Sequence, residues 1–300
     1  MISDNILSPV IISASRATDI PAFYGNEFIE CLKKGHLFWT NPFNGQKKNI
    51  SFQNTRLIVF WTKYPEPFIP YLSKVDDLGL DYYFSFTLND YEKQNLETKL
   101  PALEKRIESF VKLSERIGKQ RVIWRFDPLV LLKGETNVAL IDRIEKIASD
   151  IYKYTEKLVI SFVDTHYLKV QRRMAALKME FKEWDTGTQY SFATELVKRL
   201  DKFSLEIATC AEPNPLEEIG ISHNKCIDDE LIKRIFPHNK PLIEYIRKMT
   251  ETGNLKDKGQ RKFCGCIPSK DIGKYNSCFY NCVYCYAVNK EIKERQNIFE

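Results

Sequence analysis

Six short apolar runs punctuate the first two hundred positions: Val10–Ala14, Leu57–Trp61, Tyr82–Thr87, Arg121–Phe126, Leu158–Val163 and Leu205–Thr209. They are rich in β-branched and aromatic residues and mostly apolar throughout rather than alternating. That is the pattern of parallel strands covered on both faces. Segments with helical periodicity lie between them. Pro101–Ile117 places Leu103, Ile107, Phe110, Ser114 and Ile117 on one stripe and meets a natural stop at Gly118. Val138–Tyr152 repeats the pattern through Ile141, Ile144, Ala148 and Ile151, and Tyr190–Leu200 through Ala193, Leu196, Val197 and Leu200. Strand–helix alternation of this kind predicts an α/β fold with a parallel sheet. Crossovers of this length fit an open sheet or a barrel. Six strands favour a partial (β/α)6-type, TIM-like barrel over residues 1–212.

Beyond Cys210 the alternation fades. Asp228–Phe236 and Pro241–Met249 read as helices, and Thr252–Lys262 as a polar, glycine-bearing connection. Residues 213–300 are predicted to form a helical, cysteine-rich extension folded over the barrel mouth, with a separate domain as the alternative.

Three hundred residues with 43% hydrophobic content can bury a sizeable core, so cysteines are not needed to hold a small fold together. No segment approaches the roughly 20 apolar residues of a membrane span, and the N-terminus lacks the pattern of a secretory signal. A cytoplasmic protein is expected, with its thiols reduced. The balance of 45 basic against 40 acidic residues does not mark a nucleic-acid binder, nor does it exclude one. The basic stretch Lys256–Lys262 reads first as a solvated loop, and as a nucleic-acid or anion contact second.

The cysteines change the picture. Of eight, seven lie in the last third and five between Cys264 and Cys285. In a cytosolic setting that distribution points to metal or redox chemistry rather than disulfides. Cys278, Cys282 and Cys285 can wrap one loop around one face of a compact cluster. A 4Fe–4S cluster takes four thiolates. With three, one iron keeps an open position, the feature that separates catalytic from closed metal sites. Structural zinc is the competing reading. Cys210, Cys226, Cys264 and Cys266 are the complement for a second 4Fe–4S cluster or a tetrahedral zinc, or else are buried inert thiols. Cys31, in a helical run, reads as core packing. His166 and His223 are weaker metal candidates.

CFYNCVYC, Cys278–Cys285, resembles the CxxxCxΦC signature of radical S-adenosylmethionine enzymes, with Tyr284 at the aromatic position. The resemblance implies a partial (β/α)6 barrel, an open iron that chelates S-adenosylmethionine, and an adenine near Tyr284. In that superfamily the triad follows the first strand, whereas here it stands near the other end. The glycine-glycine-glutamate run of its second strand is absent, since no two glycines are adjacent. A second resemblance spans nearly the whole chain. SASRATDIPAFY at Ser13–Tyr24, FWTKYP at Phe60–Pro65, WRFDP at Trp124–Pro128, ISFVD at Ile160–Asp164, TCAE at Thr209–Glu212, CID at Cys226–Asp228 and CGCIPSKDIGKYNSCFYNCVYCYA at Cys264–Ala287 are similar to the bacterial domain-of-unknown-function family 1848. That family is uncharacterised and carries a C-terminal cysteine cluster like the radical enzymes' site.

Polar residues close several predicted strands, where a parallel barrel keeps its active site. Arg16, Lys63 and Arg125 are candidates to bind a carboxylate or phosphate, Lys63 and Arg125 in cofactor binding as well. Asp19, Asp127, Asp164 and Glu212 are candidates to bind an amine, a ribose hydroxyl or a proton. Structural ion pairing of Arg125 with Asp127 or Asp164 is the alternative. Three functions remain in play. The leading one is a radical S-adenosylmethionine-like enzyme on an unknown substrate, fed by a ferredoxin or flavodoxin. The others are a non-radical 4Fe–4S redox or ligand-binding protein, and a zinc-stabilised nucleic-acid-binding module.

Overall fold

The computed structural model describes residues 6–42, 44–164, 167–289 and 291–299. The six expected strands are present, displaced by at most a few residues: β1 (Ile11–Ala14), β2 (Leu57–Thr62), β3 (Asp81–Thr87), β4 (Val122–Leu129), β5 (Lys157–Phe162) and β6 (Glu206–Cys210). Two more, β7 (Ser222–Asn224) and β8 (Lys270–Asp271), extend the sheet at its edges. The eight strands lie in the order β7-β6-β5-β4-β3-β2-β1-β8, and every neighbouring pair is parallel. The sheet is therefore two strands wider than expected. Among the described residues its edges do not pair with each other, so it is open rather than closed. Strands of two and three residues are too short to leave a periodic signal, which is why the sequence does not announce β7 and β8.

Helices fill the connections: α1 (Gly25–Lys34), α2 (Leu103–Ile117), α3 (Asn137–Ile151), α4 (Leu168–Ala176), α5 (Thr186–Leu200), α6 (Asp229–Ile235) and α7 (Lys240–Glu251). Their starts are capped by side chains that accept otherwise orphaned backbone N–H groups. Thr136 accepts from Ala139, Asp185 from Thr188, Asp228 from Leu231 and Asn239 from Leu242. Gly118 ends α2 at φ +90°, a conformation that favours glycine. No helix among the described residues is long and apolar enough to cross a membrane.

The period of two divides the strands between two cores. Ile12, Ile58, Phe60, Tyr82, Phe84, Trp124, Phe126, Leu158 and Ile160 join the larger core, with Leu140, Ile144 and Ile147 of α3 and Phe192, Ala193 and Leu196 of α5. Their neighbours Ile11, Leu57, Val59, Tyr83, Ile123 and Val159 face the other way. They pack with Leu231 and Ile232 of α6, Leu242 and Ile246 of α7, and four cysteines. The segment after β6 thus covers the second face of the sheet. Burying apolar surface on both faces explains why the strands read as continuous apolar runs.

Candidate functional site

On the second face, two residues beyond the apolar layer, the chain turns polar. Ser13, Trp61, Ser85, Arg125 and Ser161 share this face with Ile11, Val59, Tyr83, Ile123 and Val159 by the two-residue period. Arg125 is buried and spends its donors here. Nε donates to Asp127 Oδ2 at 3.0 Å, and Nη1 to Cys226 Sγ at 3.1 Å. Burial works against its charge, but the Cys226 and Asp127 charges reverse that and push its pKa well above the ordinary value. Asp127 also accepts from the Ser161 hydroxyl. Trp61 lies between two guanidiniums, Arg16 at 4.9 Å and Arg125 at 5.3 Å from its ring. Its indole donates to Ser13 Oγ at 3.0 Å, and Ser13 Oγ donates to Asp271 Oδ2 at 2.8 Å. The same oxygen accepts from the Arg16 backbone N–H at 2.8 Å. The structural pairing of Arg125 with Asp127 is thus present, together with a contact to sulfur.

Four thiols meet beside Arg125. Cys210 closes β6, Cys226 follows β7, and Cys264 and Cys266 lie in the loop that returns towards β8. Cys210 Sγ and Cys226 Sγ are 3.2 Å apart. Cys266 Sγ accepts from the backbone N–H of Cys226 at 3.2 Å and of Ile227 at 3.4 Å, while Asn224 Nδ2 donates to Cys226 Sγ at 3.2 Å. The loop is anchored by Ile227 O, which accepts from Ile267 N at 3.0 Å, and by Cys266 O, which accepts from Asp257 N at 2.8 Å. A bond from Cys266 pulls the Cys264 thiol down to about 7, against burial. Its bond to Cys226, then burial, pushes Cys210 well up. All eight cysteines are free. Among the described residues, no set of three or more His, Cys, Asp or Glu side chains is laid out as a ready-made metal site. Cys226 touches Cys210, and Cys266 bonds in turn to Cys226 and Cys264.

The triad occupies the following loop. Asn276 and Asn281 take φ of +59° and +51° there, left-handed values that asparagine tolerates better than most residues. Burial, then the charges of Asp19 and Cys285, push the Cys278 thiol up to about 12. Burial raises Cys282 further, while Lys63 works in the opposite sense. The loop is tied down from several elements. Tyr24 donates to Ser277 O at 2.9 Å, Val283 N to Leu96 O at 3.0 Å, and Tyr286 to Arg16 O at 3.2 Å. Arg173 Nη1 donates to Cys282 O at 3.1 Å, and Nη2 to Cys285 O.

Tyr284 enters a buried polar knot. Its hydroxyl donates to Glu97 and accepts from Lys63 Nζ at 2.9 Å and Asn89 Nδ2 at 3.0 Å. Glu97 is buried, and burial pushes its carboxyl up. Lys63 and Arg106 outweigh this and hold it below the ordinary range. The converse holds for Lys63: burial lowers it, and Glu97 more than restores it. Lys63 is thus committed to an internal acid that sequence reasoning missed. Nothing in the polar stretch around Glu97 marks it as the partner.

The remaining candidates ring the same strand ends. Asp19 Oδ1 caps the short helix Ile20–Phe23 by accepting from Ala22 N at 3.0 Å, and Oδ2 accepts from Lys63 N at 2.7 Å. Burial nonetheless lifts its pKa to about 7. Glu212, at the end of β6, accepts from Phe162 N at 3.0 Å and is also lifted to about 7 by burial. Asp127 and Asp164 are close enough to add to that rise. Arg261 comes near Cys210, Asp127 and Glu212 from the loop before Cys264, and it too escaped sequence reasoning. His223 Nε2 sits 2.5 Å from Phe263 O, next to Cys264 in the chain. His166 lies outside the described residues.

A family model described as a domain of unknown function, DUF1848, matches residues 11–287. The chain belongs to the DUF1848 family. The match covers β1 through the last triad cysteine, so every candidate residue of this site falls within the DUF1848 domain. No curated protein matches the sequence. Among solved structures, a crystal structure described as a candidate alpha-L-fucosidase from Bacteroides thetaiotaomicron is similar to this DUF1848 chain. The similarity covers 81% of this chain and 84% of that one, at 10% identity and a TM-score of 0.28. A likeness of that size says nothing of what the DUF1848 chain does.

Proposed function

We propose that this DUF1848 protein is an iron–sulfur protein in which Cys278, Cys282 and Cys285 hold a 4Fe–4S cluster with one iron left open. Cys210, Cys226, Cys264 and Cys266 hold a second metal group. The observation that carries the reading is a buried guanidinium aimed at sulfur, Arg125 Nη1 being 3.1 Å from the Sγ of Cys226, a free thiol that touches Cys210 and bonds to Cys266. A buried cation beside a thiol favours its thiolate form, which is the form that binds a metal. Arg16 and Arg261 bring further positive charge towards the same sulfurs. The donor set therefore fits a thiolate-ligated group, although its sulfurs would have to spread around a metal.

A cluster on the triad would supply one-electron chemistry, and the resemblance to radical S-adenosylmethionine enzymes makes that molecule the candidate ligand of the open iron. The chain's own residues have separate tasks in this reading. Tyr284, Glu97, Lys63 and Asn89 fix the triad loop against the sheet. Arg16 and Arg125 balance thiolate charge. Asp19 and Glu212, both lifted to about 7, can each hold or release a proton near neutrality. Asp127 and Asp164 offer acceptors to an amine or a hydroxyl. The six strands β1–β6 of residues 1–212 act as a partial TIM-like barrel, and 213–300, which adds β7 and β8 at the sheet's edges, is the cysteine-rich extension. A ferredoxin or flavodoxin in the cytoplasm would deliver electrons.

One observation favours zinc in the second group. Zinc–sulfur bonds of about 2.3 Å in a tetrahedron place sulfurs about 3.8 Å apart, not far beyond the 3.2 Å between Cys210 and Cys226. Quantifying iron, acid-labile sulfide and zinc in anaerobically prepared protein tests both readings. Iron with equimolar sulfide supports the cluster, and zinc in addition assigns the second group. Zinc alone, or no metal after reconstitution, overturns the iron–sulfur reading. Release of 5′-deoxyadenosine and methionine under dithionite is the further test of S-adenosylmethionine chemistry.

A further inference from the structure

A cavity beside α4 has no task in the reading above. It has a volume of about 500 Å³ and is lined by Lys169, Arg172 and Arg173 of α4, together with Ala176 and Asn289. Three cations line this hollow, and among the described residues no carboxylate does. Among the described residues none of the three forms an ion pair with an acid, whereas most other arginines of this chain do. Lys169 sits over the Tyr275 ring at 5.5 Å, which leaves its charge uncancelled. Arg173 donates to two backbone carbonyls, and its Nε is buried without a hydrogen-bond partner.

Uncompensated like charges repel, and bringing them together costs free energy unless an anion joins them. A monocarboxylate would satisfy one guanidinium. Three cations match the dianionic phosphoryl group better, which arginine forks grip through paired N–H donors. The volume falls within the range of small-molecule sites and exceeds what a bare phosphate fills. We propose that this cavity binds a phosphorylated small molecule, its phosphoryl group held by Lys169 and Arg172, with the charge of Arg173 beside them, and its organic body occupying the rest. Arg173 also donates to the carbonyls of Cys282 and Cys285, so the cavity adjoins the triad loop. The binding claim does not depend on a metal being present.

Isothermal titration of the full chain with inorganic phosphate and with adenosine monophosphate, at constant ionic strength, tests it. The expected result is saturable binding of one equivalent, tighter for the nucleotide. The Lys169→Gln/Arg172→Gln variant should weaken both at least about tenfold. This pair is chosen because neither residue anchors the triad loop, so the variant should keep the parent's circular dichroism and melting temperature. Arg173→Lys keeps the charge while losing the fork, and should weaken binding less than Arg173→Gln. Absence of saturable binding overturns the proposal, as does equal affinity in the double variant. Equal affinity for the two probes would overturn the claim that the hollow holds an organic body.

Discussion

Lys63 Nζ stands 2.6 Å from Glu97 Oε1, and the Glu97 side chain is wholly buried. Arg106 Nη1 approaches the other oxygen at 3.6 Å, so two cations hold one internal acid. Removing one partner of a buried pair strands the other charge, at a cost of about 3–5 kcal/mol. Glu97→Gln should lose stability of that order in urea unfolding, with Lys63→Met milder because Arg106 still faces Glu97. The double variant should be more stable than the sum of the two losses implies. Strict additivity would show that the pair is uncoupled.

The two thiol groups should be separable by their metal content. Cys282→Ala should remove about four iron per chain if the triad holds a 4Fe–4S cluster, while leaving the second group's metal in place. Cys226→Ser should do the reverse, because its sulfur touches Cys210 and lies beside Cys266. Elemental analysis of anaerobic preparations reads both outcomes. Loss of all metal in either variant would mean one shared site in place of two.

The sheet was more legible in the sequence than the site. Six strands emerge from apolar runs because burial on both faces leaves no polar residue to interrupt them. The helices from Leu103 and Asn137 emerge because their apolar stripes repeat at 3.6 residues. β7 and β8 do not, because a strand of two or three residues holds less than two turns of its own period. Arg125, Asp127 and Glu212 were legible as polar residues at strand ends, and the parallel sheet brings those ends to the same side. Glu97, Arg261 and Asp271 were not. Each reaches the site through a long-range contact, Asp271 to Ser13 across 258 positions, and local pattern carries no trace of such a partner. The grouping of Cys210 and Cys226 with Cys264 and Cys266 was expected from their number alone. Their mutual contact depends on the loop after α7 folding back to the end of β6.

Arg125 links the acid, the aromatic and the thiol layers, so if the four thiols hold a metal, its replacement should be felt there first. Partners in the shell around a metal's ligands typically contribute about 10–100-fold to metal affinity. Arg125→Gln should lower retention of the second group's metal by that factor in competition with a chelator. Arg125→Lys keeps the charge but cannot bond Asp127 and Cys226 from one planar fork, and should fall between the two. Unchanged retention in Arg125→Gln would reduce Arg125 to a structural partner of Asp127.

The acid side of the stability profile should carry the mark of Asp229. Its carboxylate accepts from Lys225 Nζ at 2.8 Å and from Lys233 Nζ at 3.2 Å. Burial pushes this carboxyl up, but the two lysines outweigh burial and hold it below the ordinary aspartate value. A carboxyl lowered on folding binds fewer protons in the folded chain than in the unfolded one. Its stabilisation is therefore complete above the unfolded pKa, near 4, and drains away as pH falls through the lower folded value. Because both lysines are partly exposed, the contribution is modest, about 1 kcal/mol. Asp229→Asn should unfold at lower urea than the parent at pH 7, and the two curves should converge as pH is taken down through the folded pKa. A gap that persists to the acid limit would assign the loss to packing or capping of α6 instead of charge.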